Sequence, residues 1–239
     1  DMDYADLVEH LITNIDSSHI SDHLIFRRHV DLHTMQGHNA VYWGYRMIST
    51  DNPFVEKMAL FWHGHFAINE SKVRDYRKLL VELELFQEMG TGSFRDLMVA
   101  VAQDPAMLSF LDAGVNVKGA SNENFAREIM ELFTMGVGNY SETDIREAAR
   151  AFTGWNYVDL EFVINAEQHD ADTKTFLGHT GDFDGIDIID IIMEQPVTAE
   201  YIAGKIYRYY VRDELSKELQ TELGNVFREA DYEVAALLK

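Results

Sequence analysis

The stretch Ser141–Gly154 reads SETDIREAARAFTG, and its spacing announces a helix at every level. Ser141 stands as N-cap with Asp144 three residues on, a capping-box pair in which each side chain satisfies the other's backbone N–H. Ile145, Ala148, Ala149 and Phe152 fall on one stripe, and Gly154 sits where a left-handed C-terminal turn belongs. The same 3.6-residue period extends outward from this segment. Upstream, Leu7, Val8, Leu11, Ile12 and Ile15 line one face of MDYADLVEHLITNI, and Phe54–Ile68 forms an apolar helix opened by Pro53. Ser71 is expected to cap a helix ending near Met89 and Gly90, and Ser93 one reaching Gln103. Downstream, helical spacing resumes over Ile186–Met193, Thr198–Val211, Ser216–Glu229 and Tyr232–Leu238. Between them FVIN and KTFLG, separated by AEQHDADT, are β-favouring. These patterns predict an all-α, single-domain multi-helix bundle with a small β-hairpin inserted near residues 157–177. Three prolines and no Ser/Gly-rich linker argue against an internal boundary, and no fixed-period repeat is visible.

Composition sets the outer limits. Of 239 residues, 46% are apolar and 12% aromatic, enough for a substantial core. The net charge of −21, from 41 acidic against 20 basic side chains, repels polyanions, so nucleic acid and anionic membrane are poor partners. Solubility alone accounts for such a charge; cationic partners, high salt or divalent metal also suit it. The absence of cysteine excludes disulfides, thiolate metal sites and a Cys nucleophile. The longest apolar runs, such as IDIIDIIM, fall far short of the ~20 residues that span a bilayer. The chain begins at Asp1 with no signal-like segment, so any targeting segment is expected to lie outside it.

Four polar clusters stand against this background. In FWHGHF, His63 and His65 lie two apart, which on a helix makes them diverge by about 200°; joint metal ligation would need a break, which Gly64 permits. In SNENFAREIMELFTMG (Ser121–Gly136), Phe125, Ile129, Leu132 and Phe133 form the expected buried stripe. Glu123, Arg127 and Glu131 read as surface ion pairs, while Asn124 and Glu128 lie at the stripe's edge. A carboxylate there is partly desolvated and needs a partner, which makes Glu128 an acid/base or ligand candidate, or else a brace to a neighbouring helix. The third cluster, Gln168, His169, Asp170, Asp172 and Lys174, is a site candidate because it lies on a loop, although Asp also favours turns for local reasons. In the fourth, Glu142 and Arg146 can pair at i,i+4, leaving Arg150 to brace the helix end or to hold a carboxylate such as Glu128.

No P-loop, GxGxxG after a strand, GxSxG elbow or HExxH occurs. His10, His19, His23, His29, His33, His38 and His179 show no ligand spacing and read as surface.

The motifs FWHGHFA, QDPAMLSFLD, NENFAREIMELFTMGVGNYSETDIREAARAFTGW and HDADTKTFLG, in this order, resemble the bacterial domain-of-unknown-function 1800 family. The resemblance runs from about Tyr42 to the C-terminus, is densest over Asn122–Trp155, and implies that this chain is a central portion or a short form of a longer domain. It implies a mainly helical, secreted or cell-envelope protein and carries no activity. The family's recurring polar positions fall on His63, His65, Asn122, Glu123, Asn124, Arg127, Glu128, His169 and Asp170. Two departures stand out: Gly64 replaces the asparagine usual between the histidines, and Ser121, a good N-cap, replaces a proline.

Two functional expectations follow. One is a divalent-metal pocket with His63, His65, Glu128 and His169 as ligands and Glu128, His169 and Asp170 as catalytic groups, hydrolysing an extracellular substrate; imidazole and carboxylate donors suit zinc, iron or manganese. The other is a non-catalytic helical module for surface assembly or partner binding, its polar residues forming a buried network.

Overall fold

The computed structural model describes residues 3–13 and 37–239; Ile15 of the first stripe and His19, His23, His29 and His33 lie outside them. Helix α1 spans Tyr4–Thr13, α2 His38–Ser49 and α3 Pro53–Phe66, which starts on a first-turn proline. Next come α4 (Glu70–Val73), α5 (Tyr76–Met89), α6 (Phe94–Gln103) and α7 (Pro105–Phe110). A 3₁₀ turn at Ala113–Val115 leads to α8 (Asn124–Glu128), which runs directly into a π-helical turn at Ile129–Thr134. Helix α9 spans Glu142–Ala151. After two hairpins the chain closes with α10 (Gly185–Glu194), α11 (Pro196–Tyr210), α12 (Lys217–Glu229) and α13 (Val234–Leu237). The fold is mostly α, as the periodicity predicts.

Local signals explain most of these boundaries. The Ser141/Asp144 capping box forms in full, and Ser93 and Ser216 accept from the third residue of α6 and α12. A helix from Ser71 to Met89 does not form as one piece. The Ser71 hydroxyl instead donates to Asn69 Oδ1, Asn69 caps α4, Arg74 turns left-handed at φ 54° and Asp75 caps α5. Two capping side chains, Asn69 and Asp75, within seven residues offer the backbone an alternative to a continuous helix. Gly90 is right-handed rather than left-handed, at φ −62°.

The inserted β structure is two hairpins, not one. FVIN pairs with the strand before it, β1 (Trp155–Val158) against β2 (Glu161–Ile164), in the register Trp155↔Ile164. KTF pairs with the strand after it, β3 (Lys174–Phe176) against β4 (His179–Gly181). The two-residue loop of the second hairpin, Leu177-Gly178, has positive φ at both positions, 45° and 87°. That is the loop twist that suits a tight hairpin, reached here with an atypical leucine.

A continuous apolar cluster from Met58 to Val234 packs the helices together. Trp62 stacks on Phe94 at 5.6 Å and Phe66 on Phe86 at 5.6 Å. Phe152 meets both Phe125 and Trp155 edge-on at 5.0 Å, tying α8, α9 and β1 into the same core.

Candidate functional site

Helix α3 passes through Gly64 without a break, so His63 and His65 leave it in different directions. His65 is buried against the π-helical turn, its Nε2 lying 2.9 Å from the carbonyl oxygen of Phe133. A carbonyl only accepts, so Nε2 carries the hydrogen and Nδ1 presents a lone pair. That lone pair receives the Lys205 ammonium of α11 at 3.1 Å. Burial, reinforced by the Lys205 charge and only partly offset by the Phe133 carbonyl, holds the imidazole down to about 3, and it stays neutral. His63 stands edge-on to Trp43 at 5.3 Å, and burial lowers its pKa as well.

The π turn supplies the acceptors for this arrangement. The helix ends on this widened turn at Thr134, and the carbonyls of a last turn have no partner within the helix. Leu132 O takes hydrogen bonds from Tyr201 Oη at 3.0 Å and Lys205 Nζ at 3.3 Å, and Phe133 O takes His65. The same widening rotates the apolar stripe: Phe125, Ile129, Met130 and Phe133 are buried, but Leu132 is 43% exposed, contrary to the straight-helix expectation.

Along the NEN segment, Arg127 donates to Glu123 at 3.2 Å and to Glu142 at 2.9 Å, bearing out the surface-pairing reading of Glu123 and Arg127. Glu142 is therefore taken by Arg127, and Arg146 turns to Thr143. Glu131 accepts from Tyr140. Ser121 caps nothing; Asn122 Oδ1 receives the Asn124 N–H, and Asn122 N–H donates to Asn116 Oδ1. Asn124 is exposed and Glu128 half-buried. Burial and the Glu131 charge raise the Glu128 pKa against the pull of Arg127, and among the described residues it makes no hydrogen bond or ion pair.

The His169/Asp170 pair serves the backbone. His169 Nδ1 lies 2.9 Å from Thr153 O, and the Asp170 N–H donates to Thr153 Oγ1 at 2.7 Å. The buried Asp170 carboxylate accepts from Arg150 Nε at 2.7 Å and from Asp172 N–H at 3.0 Å, with Lys118 Nζ 3.5 Å away. Burial alone would raise its pKa; the Arg150 hydrogen bond and these other donors and charges overcome that and hold it below the usual range. Arg150 also pairs with Glu147 at 2.8 Å, so it holds Asp170 rather than Glu128. Asn116, buried and unmarked by any motif, closes the network by donating to Ala149 O at 2.8 Å.

His63, His65, Glu128 and His169 thus do not assemble into one ligand set. Among the described residues no group of three or more His, Asp or Glu side chains is arranged to hold a metal ion, and no helix is long and apolar enough to cross a membrane. His179, expected at the surface, is exposed and lies 3.3 Å from Glu194.

Beside His65 a cleft of about 420 Å³ opens between α3 and α11, bounded by Phe61, His65, Lys205, Arg208 and Tyr209. Lys205, Arg208 and Tyr209 belong to no motif. Their i, i+3, i+4 spacing in AGKIYRYY placed them on one helical face, but nothing in the sequence said which element that face meets.

A family described as "Protein of unknown function (DUF1800)" matches residues 12–239, beginning upstream of Tyr42, where the motif resemblance starts. Comparison with the curated proteins and with the solved structures finds no match.

Proposed function

This chain belongs to the DUF1800 family, and from that premise we propose that it is a non-catalytic helical module whose family motifs maintain the fold. One observation supports this reading above the others: the hydrogen-bonded polar motif side chains are taken up by backbone or by paired side chains instead of converging on a shared cavity. His65 bonds Phe133 O, His169 bonds Thr153 O, Asp170 accepts from Arg150, and the backbone N–H of Asn122 donates to Asn116, which bonds Ala149 O. Such a network fixes how α3, the π turn, α9 and the following loop meet. The module is a single folded unit, a reading supported by the continuous apolar cluster. It acts at the cell envelope or outside the cell on a protein partner, and that placement rests on the family resemblance alone.

The test is elemental analysis of protein purified without chelator, together with thermal melts in EDTA and in added zinc. The module reading expects no stoichiometric metal and unchanged melts. Stoichiometric metal that is lost in His63→Ala and His169→Ala variants would overturn it. Fractionation of the host cells checks the placement, and recovery in the cytosol would refute it.

A further inference from the structure

We propose that the cleft between α3 and α11 binds a small organic acid, its carboxylate seated between Lys205 and Arg208 and its apolar body lying along Phe61 and Tyr209. Nothing in the module reading requires such a site, and the two stand or fall separately.

The first argument is the accounting of charge. Lys205 Nζ is anchored by His65 Nδ1 at 3.1 Å and Leu132 O at 3.3 Å, and it lies 4.8 Å from the centre of the Tyr201 ring. None of these partners carries a charge, because burial and the Lys205 charge keep His65 neutral. An ammonium has three donors; two are placed, and the Lys205 side chain lines the cleft. Arg208, one turn further along α11, donates to Gln220 Oε1 at 3.3 Å, again a neutral acceptor. Among the described residues no carboxylate lies within ion-pair distance of either cation. The chain carries 41 acidic and only 20 basic side chains, and carboxylates hold Arg46, through Glu56 at 2.9 Å, and Arg150, through Asp170 at 2.7 Å. Lys205 and Arg208 are two cations one turn apart on α11 that line the same cleft without a counter-charge.

The second argument is the state of the lysine. Desolvation lowers the Lys205 pKa. An ammonium that is short of both water and counter-charge gains more from an arriving anion than an exposed one does. The His65 and Leu132 anchors hold it in place beforehand, which reduces the ordering cost of binding.

The third argument concerns the walls. Phe61 lies nearly parallel to His65, 6.1 Å between ring centres, and Tyr209 packs 5.2 Å from Phe61. An open cleft of about 420 Å³ with aromatic sides and two cations offers apolar surface for the body of a ligand and polar groups that fix its head. The net charge of −21 penalises a dianion more than a monoanion, which favours a carboxylate over a phosphate head.

Octanoate, titrated into the full chain below its micelle-forming concentration, is the probe, with octanol as the neutral counterpart and octyl phosphate as the dianionic one; isothermal calorimetry and ligand-observed NMR are the readouts. The proposal expects saturable 1:1 binding of octanoate, weaker binding of both counterparts, and a further loss as salt is raised. Arg208→Gln and Lys205→Met are each expected to weaken octanoate about ten-fold, since each removes a charge-assisted contact, while Arg146→Gln leaves it unchanged. Should Lys205→Met fail to fold, the exposed Arg208→Gln carries the test. Octanoate is also expected to slow acetylation of Lys205 by acetic anhydride, read by peptide mass spectrometry. No saturable binding, equal binding of octanol, tighter binding of octyl phosphate, or an unchanged affinity in Arg208→Gln would overturn the proposal.

Discussion

Replacing Glu82 by glutamine is expected to stabilise this protein at neutral pH, and by an amount that grows with pH. Glu82 lies on α5 at 2% exposure, and its Oε1 is buried without a hydrogen-bond partner. Asp104, 4% exposed, caps α7 by accepting from the N–H groups of Ala106 at 2.8 Å and Met107 at 3.2 Å. Burial raises the Glu82 carboxyl well above its ordinary range, and the Asp104 charge adds to the effect. Burial also pushes Asp104 up to about 7, against the pull of its two backbone donors and of Lys78. Native Glu82 therefore keeps a proton that the unfolded chain releases above its ordinary pKa of 4.5. The linkage follows from this difference: the stability present below pH 4.5 is lost as pH rises, at about 1.4 kcal/mol per pH unit while native Glu82 stays protonated. Glutamine has no proton to lose. From pH 5 to 7 the variant should accordingly gain about 3 kcal/mol relative to the parent. His65, held down to about 3, gives a slope of the opposite sign below pH 6.5, as does His63, and both cancel in the difference. Urea denaturation followed by far-UV circular dichroism at pH 5, 6 and 7 measures it. A difference that stays flat with pH, or a Glu82→Gln variant less stable than the parent at pH 7, would show that Glu82 is ionised in the fold and refute the reasoning.

Three further outcomes are expected. Asp170→Asn should cost about 2–3 kcal/mol at pH 7 in chemical denaturation, because it weakens charge-assisted bonds to a carboxylate only 6% exposed. Since the folded pKa of Asp170 is depressed, that contribution is present above the ordinary value of 3.8 and lost as pH falls, so the gap from the parent should narrow below about pH 4; a gap that widens there refutes the assignment. Gly154→Ala should lower stability by at least about 2 kcal/mol and the melting temperature with it, because φ is 81° and a Cβ would lie 2.5 Å from the Asn165 carbonyl oxygen. Gly64→Ala, inside α3 and with nothing within 4 Å of the added carbon, should raise stability by about 0.5–1 kcal/mol, and destabilisation in a thermal melt would contradict the unbroken helix.

The parts of the molecule legible in the sequence are those whose cause lies within a few residues. Ser141 with Asp144, Ser93 and Ser216 begin helices where the sequence said they would, because a cap is a hydrogen bond to a backbone group two or three positions away. The pairing of Arg127 with Glu123 was visible for the same reason. Which β-favouring runs pair was not, because KTF finds its partner in HTG, whose own strand character is weak, and the Leu177-Gly178 turn depends on a leucine in an unfavourable conformation.

The candidate site shows the same division more sharply. Spacing alone marked His63 and His65 as divergent on a helix, and the unbroken α3 keeps them so. That Arg150 holds Asp170 rather than Glu128 was decided by the fold, since partners twenty residues apart meet only when the loop closes over α9. The π turn was decided there too, where carbonyls of Leu132 and Phe133, left open at the helix end, are taken up by Tyr201, Lys205 and His65 from elsewhere in the chain. Sequence by itself determined the helical class, most helix ends and the acidic, cysteine-free chemistry, all set by local hydrogen bonding and composition. Tertiary structure alone decided that His65 and His169 bond backbone carbonyls of other elements, and that two cations outside every motif line an open cleft, because burial and charge partners are properties of surfaces brought together and not of neighbours along the chain.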